Sequence, residues 1–281
     1  MSNLHIYFET GAVGDTCLNL CRAHAAMRHG GHDGVVVHTS PVFRFGNPPR
    51  TIPSSPDVKE ILRRTNFIRD VVYEIDYSDA ESFRTSKKYG CPIKQPMVFP
   101  SENDVRLYAD LRDLTPDYDP SAKVALLQPV SLRFKPQDRI DDYIPVWDRC
   151  IRALREKAYE IVLVGGPEDP IHLTMSPSSL RECSSKVGSW NMLQSVAFCI
   201  YRADIVVACD SWAAIWGPAA KVKTAIAWGY RMESDIDFWV TGFLGNRDFY
   251  KHGWSSQKDY CDADLATYIS KTIRERQNGQ V

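Results

Sequence analysis

The stretch ADIVVACDSWAAIWGPAAKVKTAIAW, residues 203–228, constrains the fold of this chain more than any other. A short apolar run over 205–209 stops at Asp210 and the hydroxyl residue Ser211, and a second apolar run follows over 224–228. This order predicts a strand, a tight turn, a helix capped by Asp210 or Ser211, and a second strand. A helix that starts where a parallel strand ends favours anion binding, so the segment predicts a nucleotide or phosphorylated ligand.

Strands alternate with helices in both halves of the 281-residue chain, which predicts an α/β protein with parallel sheets. The first unit is a strand over 4–8, a helix that begins at Asp15 or Thr16 and ends at Gly30–Gly31, and a strand over 34–38. The other expected elements are a loop over 40–56, a short helix over 58–64, a strand over 71–75, a loop over 78–104, a short helix or strand over 105–114, a strand over 123–128, a helix over 145–157, a strand over 160–164, a short strand at Val187, a helix over 192–201 and a last helix over 264–276.

The turn-rich stretch TPDYDPSA, residues 115–122, predicts a linker between two domains. We therefore expect an N-terminal domain over 1–118 and a C-terminal domain over 122–260. A C-terminal helix over 262–281 completes the chain, with packing against the N-terminal domain as one alternative. Two parallel α/β layers of this kind predict a ligand cleft between them.

The net charge of −1 gives no global reason to expect nucleic acid or an anionic membrane as a partner. A local basic group leaves nucleic acid open, although a solvated loop is the favoured interpretation; its members are Arg84, Lys87, Lys88 and Lys94. No apolar run reaches the ~20 residues of a transmembrane segment, and the N-terminus lacks the pattern of a secretory signal. These features predict a cytoplasmic protein.

Cysteine and histidine spacing predicts neither a disulfide framework nor a metal site. The eight cysteines form no C-x-x-C pair, so we expect reduced, mostly buried thiols. Four histidines, His24, His29, His32 and His38, fall on a helix, a loop and a strand without a shared face. Scattered histidines of this kind seldom converge on a metal, so no metal is expected.

The segment 203–229 lines up without gaps on the pattern A-D-h-h-h-x-x-D-[ST]-G-x-x-H-x-A-A-A-x-x-x-P-T-h-x-h-[FW]-G, in which h is apolar. That pattern is the C-terminal signature of the heptosyltransferase-like glycosyltransferases, family nine of the glycosyltransferases, which this chain resembles. Trp212, Ile215 and Lys223 stand where the family has glycine, histidine and proline. Three further stretches agree with the family in order and spacing: ETGAVGDTCLNLCRAHAAMRHG, VALLQPVSLRFKPQDRIDDYIPVWDRCIRALREKAYEIVLVGGPEDP and WNMLQSVAFCIYRAD.

The resemblance implies a GT-B-like fold, in which two facing Rossmann-like domains enclose the active site in the cleft between them. It implies that the domain over 1–118 binds the acceptor and that the domain over 122–260 binds the nucleotide sugar. It implies a glycosyltransferase that moves a sugar from a nucleotide-diphosphate sugar to a hydroxyl of a glycan or another acceptor. The reaction would be inverting and would need no metal and no cofactor besides the donor. Asp15 lies where the family has a cleft aspartate that takes the proton of the acceptor hydroxyl, which an alcohol must lose as the new bond forms.

The resemblance and the chemistry of the side chains together predict a donor site. Basic side chains after the first C-domain strand, Arg133 and Lys135, would neutralise the leaving diphosphate, whose charge grows in the transition state. Glycines after a strand allow close backbone approach, and a carboxylate can accept hydrogen bonds from a ribose. The donor-binding candidates are Gly14, Arg133, Lys135, Gly166, Glu168, Asp210, Ser211 and Trp212.

Each candidate also has a purely structural interpretation. Asp15 and Ser211 are ordinary helix caps by sequence, Arg133 and Lys135 suit a solvent-facing loop, and the glycines at 165–166 suit a plain turn. Three other functions also remain open: a nucleotide-sugar epimerase, a non-catalytic nucleotide or sugar-phosphate binder that lost activity with the family glycine and histidine, and a transferase for a polymeric acceptor such as modified DNA.

Overall fold

The computed structural model describes residues 2–8, 12–39, 42–45, 50–53, 55–73, 106–129, 140–165, 182–209, 211–228 and 250–252. These residues form two compact units, one up to Leu111 and one from Arg112 onward. The division falls shortly before the predicted linker at 115–122. The predicted loop over 78–104 and the predicted C-terminal helix lie outside the described residues. None of the helices in the described part is long and apolar enough to cross a membrane.

The first unit contains a parallel sheet with helices before and after its middle strand. Its elements are β1 (Asn3–Phe8), α1 (Val13–Gly30), β2 (Gly34–Thr39), β3 (Val42–Phe45), β4 (Arg50–Pro53), α2 (Pro56–Arg63) and β5 (Ile68–Val72). The strands β1, β2 and β5 are neighbours in that order, and both pairs are parallel. Gly31 follows α1 with φ 65° and donates its N–H to Arg28 O, so the predicted end of this helix is confirmed.

Two predictions for the first unit are wrong in detail. The stretch predicted as a loop over 40–56 contains the antiparallel pair β3 and β4, in register from Val42↔Pro53 to Phe45↔Arg50. Valine, phenylalanine and isoleucine favour strands there, and Pro53 closes the second strand, where a missing N–H is tolerated. The described part of the stretch predicted as a helix or strand over 105–114, residues 106–114, forms a bridge at Ala109 and a short 3₁₀ helix over Arg112–Leu114 instead.

The second unit carries a six-stranded, fully parallel sheet. Its elements are β6 (Val124–Gln128), α3 (Ile140–Glu156), β7 (Glu160–Leu163), β8 (Ser184–Ser185), α4 (Met192–Tyr201), β9 (Ile205–Cys209), α5 (Ala213–Ala219), β10 (Lys223–Trp228) and β11 (Tyr250–His252). The strands lie in the order β8-β7-β6-β9-β10-β11, which is 3-2-1-4-5-6 in order of appearance. This is the doubly wound order of a dinucleotide-binding domain, so a parallel, Rossmann-like sheet is confirmed for this unit.

The core of the second unit lies between α3 and one face of the sheet. Trp147, Ile151 and Leu154 recur at the spacing of one helix face, and all three are fully buried in the same cluster as Leu127 and Val207. The helix begins at Ile140, earlier than predicted, and carries the proline at 145 in its second turn.

The predicted strand at Val187 is wrong, because the strand lies at Ser184–Ser185 and Val187 lies in the turn that follows. Its side chain is partly buried and packs against the hydrophobic core from that turn. An apolar residue beside the core can therefore lie in a turn, and Val187 alone did not indicate the position of the strand.

Helix α5 approaches the sheet so closely at Gly217 that a side chain would not fit. A Cβ there would lie 2.4 Å from Thr224 Oγ1 and 3.5 Å from Val206 Cγ2. Thr224 is fully buried, and its hydroxyl donates to Val222 O at 2.9 Å. We expect Gly217→Ala to lower the free energy of unfolding by about 1–2 kcal/mol, because overpacking outweighs the gain in helix propensity. Urea denaturation followed by circular dichroism measures this.

Gly30→Ala is the matched control, since it also adds one methyl group to a helical glycine. The new Cβ would lie 2.5 Å from the ring of half-buried His32, whose hydrogen-bond contacts with Ser2 are exposed, so the ring can shift at low cost. Its effect should stay within about 0.5 kcal/mol. Adding Thr224→Ala to Gly217→Ala should restore part of the lost stability, and equal stability of the two glycine variants would contradict the argument.

Candidate functional site

The carboxyl ends of β6 and β9 form the switch point of the second sheet. From β6 the chain continues to β7 on one side, while β9 pairs with β6 on the other side, with Gln128 opposite Ala208. Open α/β sheets bind ligands in the crevice beyond such strand ends, where the direction of winding reverses. The turn from β9 into α5, which includes Ser211, therefore lies at the expected place for a ligand.

One buried side chain from β6 holds that turn. Gln128 is 3% exposed; its Oε1 accepts the N–H of Ala213 at 3.3 Å, and its Nε2 donates to Ser211 Oγ at 3.0 Å. From the sequence, Gln128 is predicted only as the end of a strand, and its contact with the turn is not. The available signal was a polar residue that closes the apolar run VALLQ at the strand edge where ligands bind.

The prediction that Ser211 caps α5 is wrong. The helix begins at Ala213, and Trp212 before it makes no capping hydrogen bond with its side chain. The first N–H of the helix is satisfied by Gln128 instead, from a strand distant in sequence. The other candidate cap, Asp210, lies outside the described residues.

The backbone N–H groups at the start of α5 are occupied inside the protein. Those of Ala214, Ile215 and Trp216 donate to Ser211 O, Trp212 O and Trp212 O at 3.1, 3.1 and 2.9 Å. The sequence predicted that the start of this helix would bind a phosphate. These three N–H groups are already hydrogen-bonded and are therefore not available to a pyrophosphate. In the described part of this turn, half-buried Ser211 presents its side-chain hydroxyl.

Trp212 occupies the place of the family glycine without backbone strain. Its φ of −54° and ψ of −41° are right-handed helical values, which any residue adopts. Trp212 is 7% exposed and belongs to the hydrophobic core, so its indole contributes to packing. Ile215, in the place of the family histidine, is half-buried on α5.

Asp15 lies in the first turn of α1 and does not cap it, which corrects the predicted helix start. The helix begins at Val13 after Ala12, and the Thr16 hydroxyl donates to Ala12 O at 2.9 Å. Asp15 is half-buried, and among the described residues its carboxylate has no hydrogen-bond or ion-pair partner. Negative charge in a first turn is favoured by the helix dipole. The carboxylate is therefore not used in a structural contact within this part of the chain.

The described site residues fall into two groups, one in each unit. Gly14 and Asp15 lie in the first turn of α1, and Ser211 and Trp212 lie at the switch point of the second sheet. The remaining candidates lie outside the described residues: Arg133, Lys135, Gly166, Glu168 and Asp210.

Asp204, the second residue of the signature, has a structural role. It is 7% exposed, and its Oδ2 accepts the N–H of Val124 at 2.8 Å, which joins the start of β9 to the start of β6. Arg202 lies beside it with Nη1 at 3.8 Å from Oδ2, and Arg202 Nη2 donates to Ala122 O at 2.8 Å and to Asp119 O. The second residue of the signature therefore holds two strands of the sheet together.

Within the described residues, no group of three histidine, cysteine, aspartate or glutamate side chains is placed to hold a metal. His38 is fully buried, and its Nε2 lies 2.9 Å from His5 Nδ1 on the neighbouring strand. His24 packs against the rings of Phe67 and Tyr108, with centroids 5.3 and 4.5 Å away. These histidines contact protein groups in separate places.

No protein-family model matches the sequence, and no curated protein is similar enough to count as a match. Solved structures are similar in fold. The ADP-heptose LPS heptosyltransferase II of E. coli has a TM-score of 0.59 at 11% identity, over 95% of this chain and 97% of that chain. The family 9 glycosyltransferase of Veillonella parvula DSM 2008 has a TM-score of 0.57 at 11% identity, over 97% of this chain and 90% of that chain. The resemblance to family nine is thereby confirmed as a likeness of fold.

Proposed function

We propose that this protein is a glycosyltransferase that moves a sugar from a nucleotide-diphosphate sugar to an acceptor hydroxyl. The observation that carries the proposal is the switch point of the 3-2-1-4-5-6 sheet, where Gln128 holds Ser211 at the strand ends. A ligand bound there meets the edge of the sheet that binds nucleotides in doubly wound folds. The likeness of fold to two glycosyltransferases supports the same function.

The proposed donor site binds the diphosphate and neutralises the negative charge that the diphosphate gains as the leaving group. Ser211 would donate to a phosphoryl oxygen, and Arg133 and Lys135 would neutralise the charge that grows on the leaving group. Gly14, Gly166, Glu168, Asp210 and the backbone of Trp212 complete the proposed donor contacts. ADP-heptose, the donor in the name of the E. coli neighbour, is the first donor to test.

In the proposed mechanism, Asp15 accepts the proton of the acceptor hydroxyl while that oxygen attacks the anomeric carbon. The bond from that carbon to the diphosphate oxygen breaks on the opposite face, so the configuration inverts. The role of Asp15 is supported by its half-buried carboxylate, which has no structural partner among the described residues. The proposal follows the family in placing the reaction in a cleft between two facing domains and in needing neither a metal nor another cofactor.

The acceptor that we propose is a glycan or another hydroxyl-bearing molecule, and a nucleic-acid acceptor is not indicated by a net charge of −1. We propose that the protein acts in the cytoplasm. Support comes from the described cysteines, which form no disulfide with one another and five of which are buried: Cys17, Cys21, Cys150, Cys199 and Cys209.

A thermal-shift screen with ADP, GDP, UDP, CDP and dTDP tests the donor half of the proposal. A ligand present at about 100 times its Kd stabilises the folded state by about 2.7 kcal/mol, so a specific nucleoside diphosphate should raise Tm by several degrees. The matching nucleoside monophosphate is the control and should shift Tm less, because it lacks one phosphoryl group. If none of the five diphosphates raises Tm, the proposed function is wrong.

An activity assay separates transfer from the other chemistries. Incubation of ADP-heptose with and without a panel of sugar acceptors should release ADP only when an acceptor is present. Conversion of the donor sugar without an acceptor would instead indicate an epimerase. Binding without turnover for every donor and acceptor would indicate a binding protein.

A further inference from the structure

The orientation of the Gln128 amide is determined by its neighbours. The Ala213 N–H can only donate, so the atom that faces it at 3.3 Å is the amide oxygen. The amide nitrogen therefore faces Ser211 Oγ at 3.0 Å, and it can only donate. Ser211 Oγ must accept that hydrogen bond, and its own proton must point away from Gln128.

The proton of the Ser211 hydroxyl has no acceptor among the residues that the structure describes. The hydroxyl lies at the switch point of the sheet, on a half-buried residue, and Gln128 is buried beneath it. A group held in this way presents a donor to the place where the sheet binds ligands. The complementary ligand is one whose oxygens only accept, as those of an ionised diphosphate do.

We propose that Gln128 is a positioning residue, which keeps the Ser211 hydroxyl turned outward as a hydrogen-bond donor to the diphosphate of the nucleotide substrate. This role rests on the proposed function and adds to it a residue outside the family signature. It explains why an amide, rather than a carboxylate, closes β6. A carboxylate would accept from both Ala213 and Ser211, and would turn the hydroxyl away from the ligand.

Gln128→Glu tests this role because it preserves the shape of the side chain and reverses one hydrogen bond. At pH 8 the introduced carboxylate should turn the Ser211 proton inward, and we expect it to weaken ADP binding about 10-fold or more in calorimetric titrations. At pH 5 the protonated carboxyl again offers one oxygen acceptor and one donor, as the amide does. The affinity should then recover toward that of the unmodified protein measured at the same pH.

Ser211→Ala shows whether Gln128 acts through the hydroxyl. Alone, it should weaken ADP binding about 10-fold. In the Ser211→Ala background, Gln128→Glu should weaken binding much less than it does alone, because no hydroxyl remains to be turned. An equal loss in both backgrounds would mean that the added charge acts directly, and it would overturn the proposal.

Gln128→Met is the neutral control, with a similar volume and no hydrogen bonds. It leaves the Ser211 hydroxyl able to rotate, so we expect a loss of about 3-fold, again absent in the Ser211→Ala background. If circular dichroism shows that Gln128→Glu is unfolded, the test is the comparison of Gln128→Met with and without Ser211→Ala. ADP affinity unchanged by Ser211→Ala would refute the role while the proposed function stands. An unmodified protein that binds none of the five diphosphates would refute both.

Discussion

Asp15→Asn is expected to lower the rate of sugar transfer by about 10²–10⁴-fold while nucleoside diphosphate binding is unchanged. The amide has nearly the shape of the carboxylate but cannot accept the proton of the attacking hydroxyl. Asp15 makes no capping bond in α1, so its replacement removes no structural hydrogen bond among the described residues. The measurement is ADP release from ADP-heptose in the presence of an active acceptor, beside calorimetric titration with ADP.

Asp33→Asn is the matched control for this prediction. Asp33 is an exposed aspartate of the same unit, between α1 and β2, and its replacement should leave the transfer rate unchanged. Asp15→Asn also removes a charge that favours the helix dipole, which costs about 0.3–1 kcal/mol of stability and must be checked by thermal unfolding. Normal transfer by a folded Asp15→Asn variant with intact ADP binding would exclude Asp15 as the base.

The parallel α/β architecture was predictable because its signals are local. Apolar runs that end at polar or glycine residues predicted β1, β2 and β9, and the predicted helix over 192–201 coincides with α4. That helix carries a complete capping box between Asn191 and Gln194, so both its sequence and its structure specify where it begins. Elements of this kind are specified within a few residues of themselves.

The details of the site were not predictable, because they depend on contacts distant in sequence. The bond between Gln128 and Ser211 joins residues 83 positions apart. No local pattern reveals that Gln128, at the end of β6, accepts the first N–H of α5. Gln128 therefore takes the capping role that was predicted for Ser211. The tryptophan at 212 shows the complementary limit: sequence reveals the replaced glycine, but only the backbone angles show that glycine was not required there.

Asp204→Ala is expected to have the largest effect on stability, lowering the free energy of unfolding by about 3–5 kcal/mol. It removes the acceptor of the buried Val124 N–H and the negative charge beside Arg202, whose side chain is 10% exposed. Asp204→Asn retains an oxygen acceptor and should cost less, about 1–3 kcal/mol.

Glu182→Ala is the control: its pair with Arg155 is shorter, 2.7 Å against 3.8 Å, but the Glu182 side chain is 65% exposed. Water screens that exposed pair, so its loss should cost at most about 1 kcal/mol in urea denaturation. Equal losses for Asp204→Ala and Glu182→Ala would show that burial at Asp204 does not determine the cost.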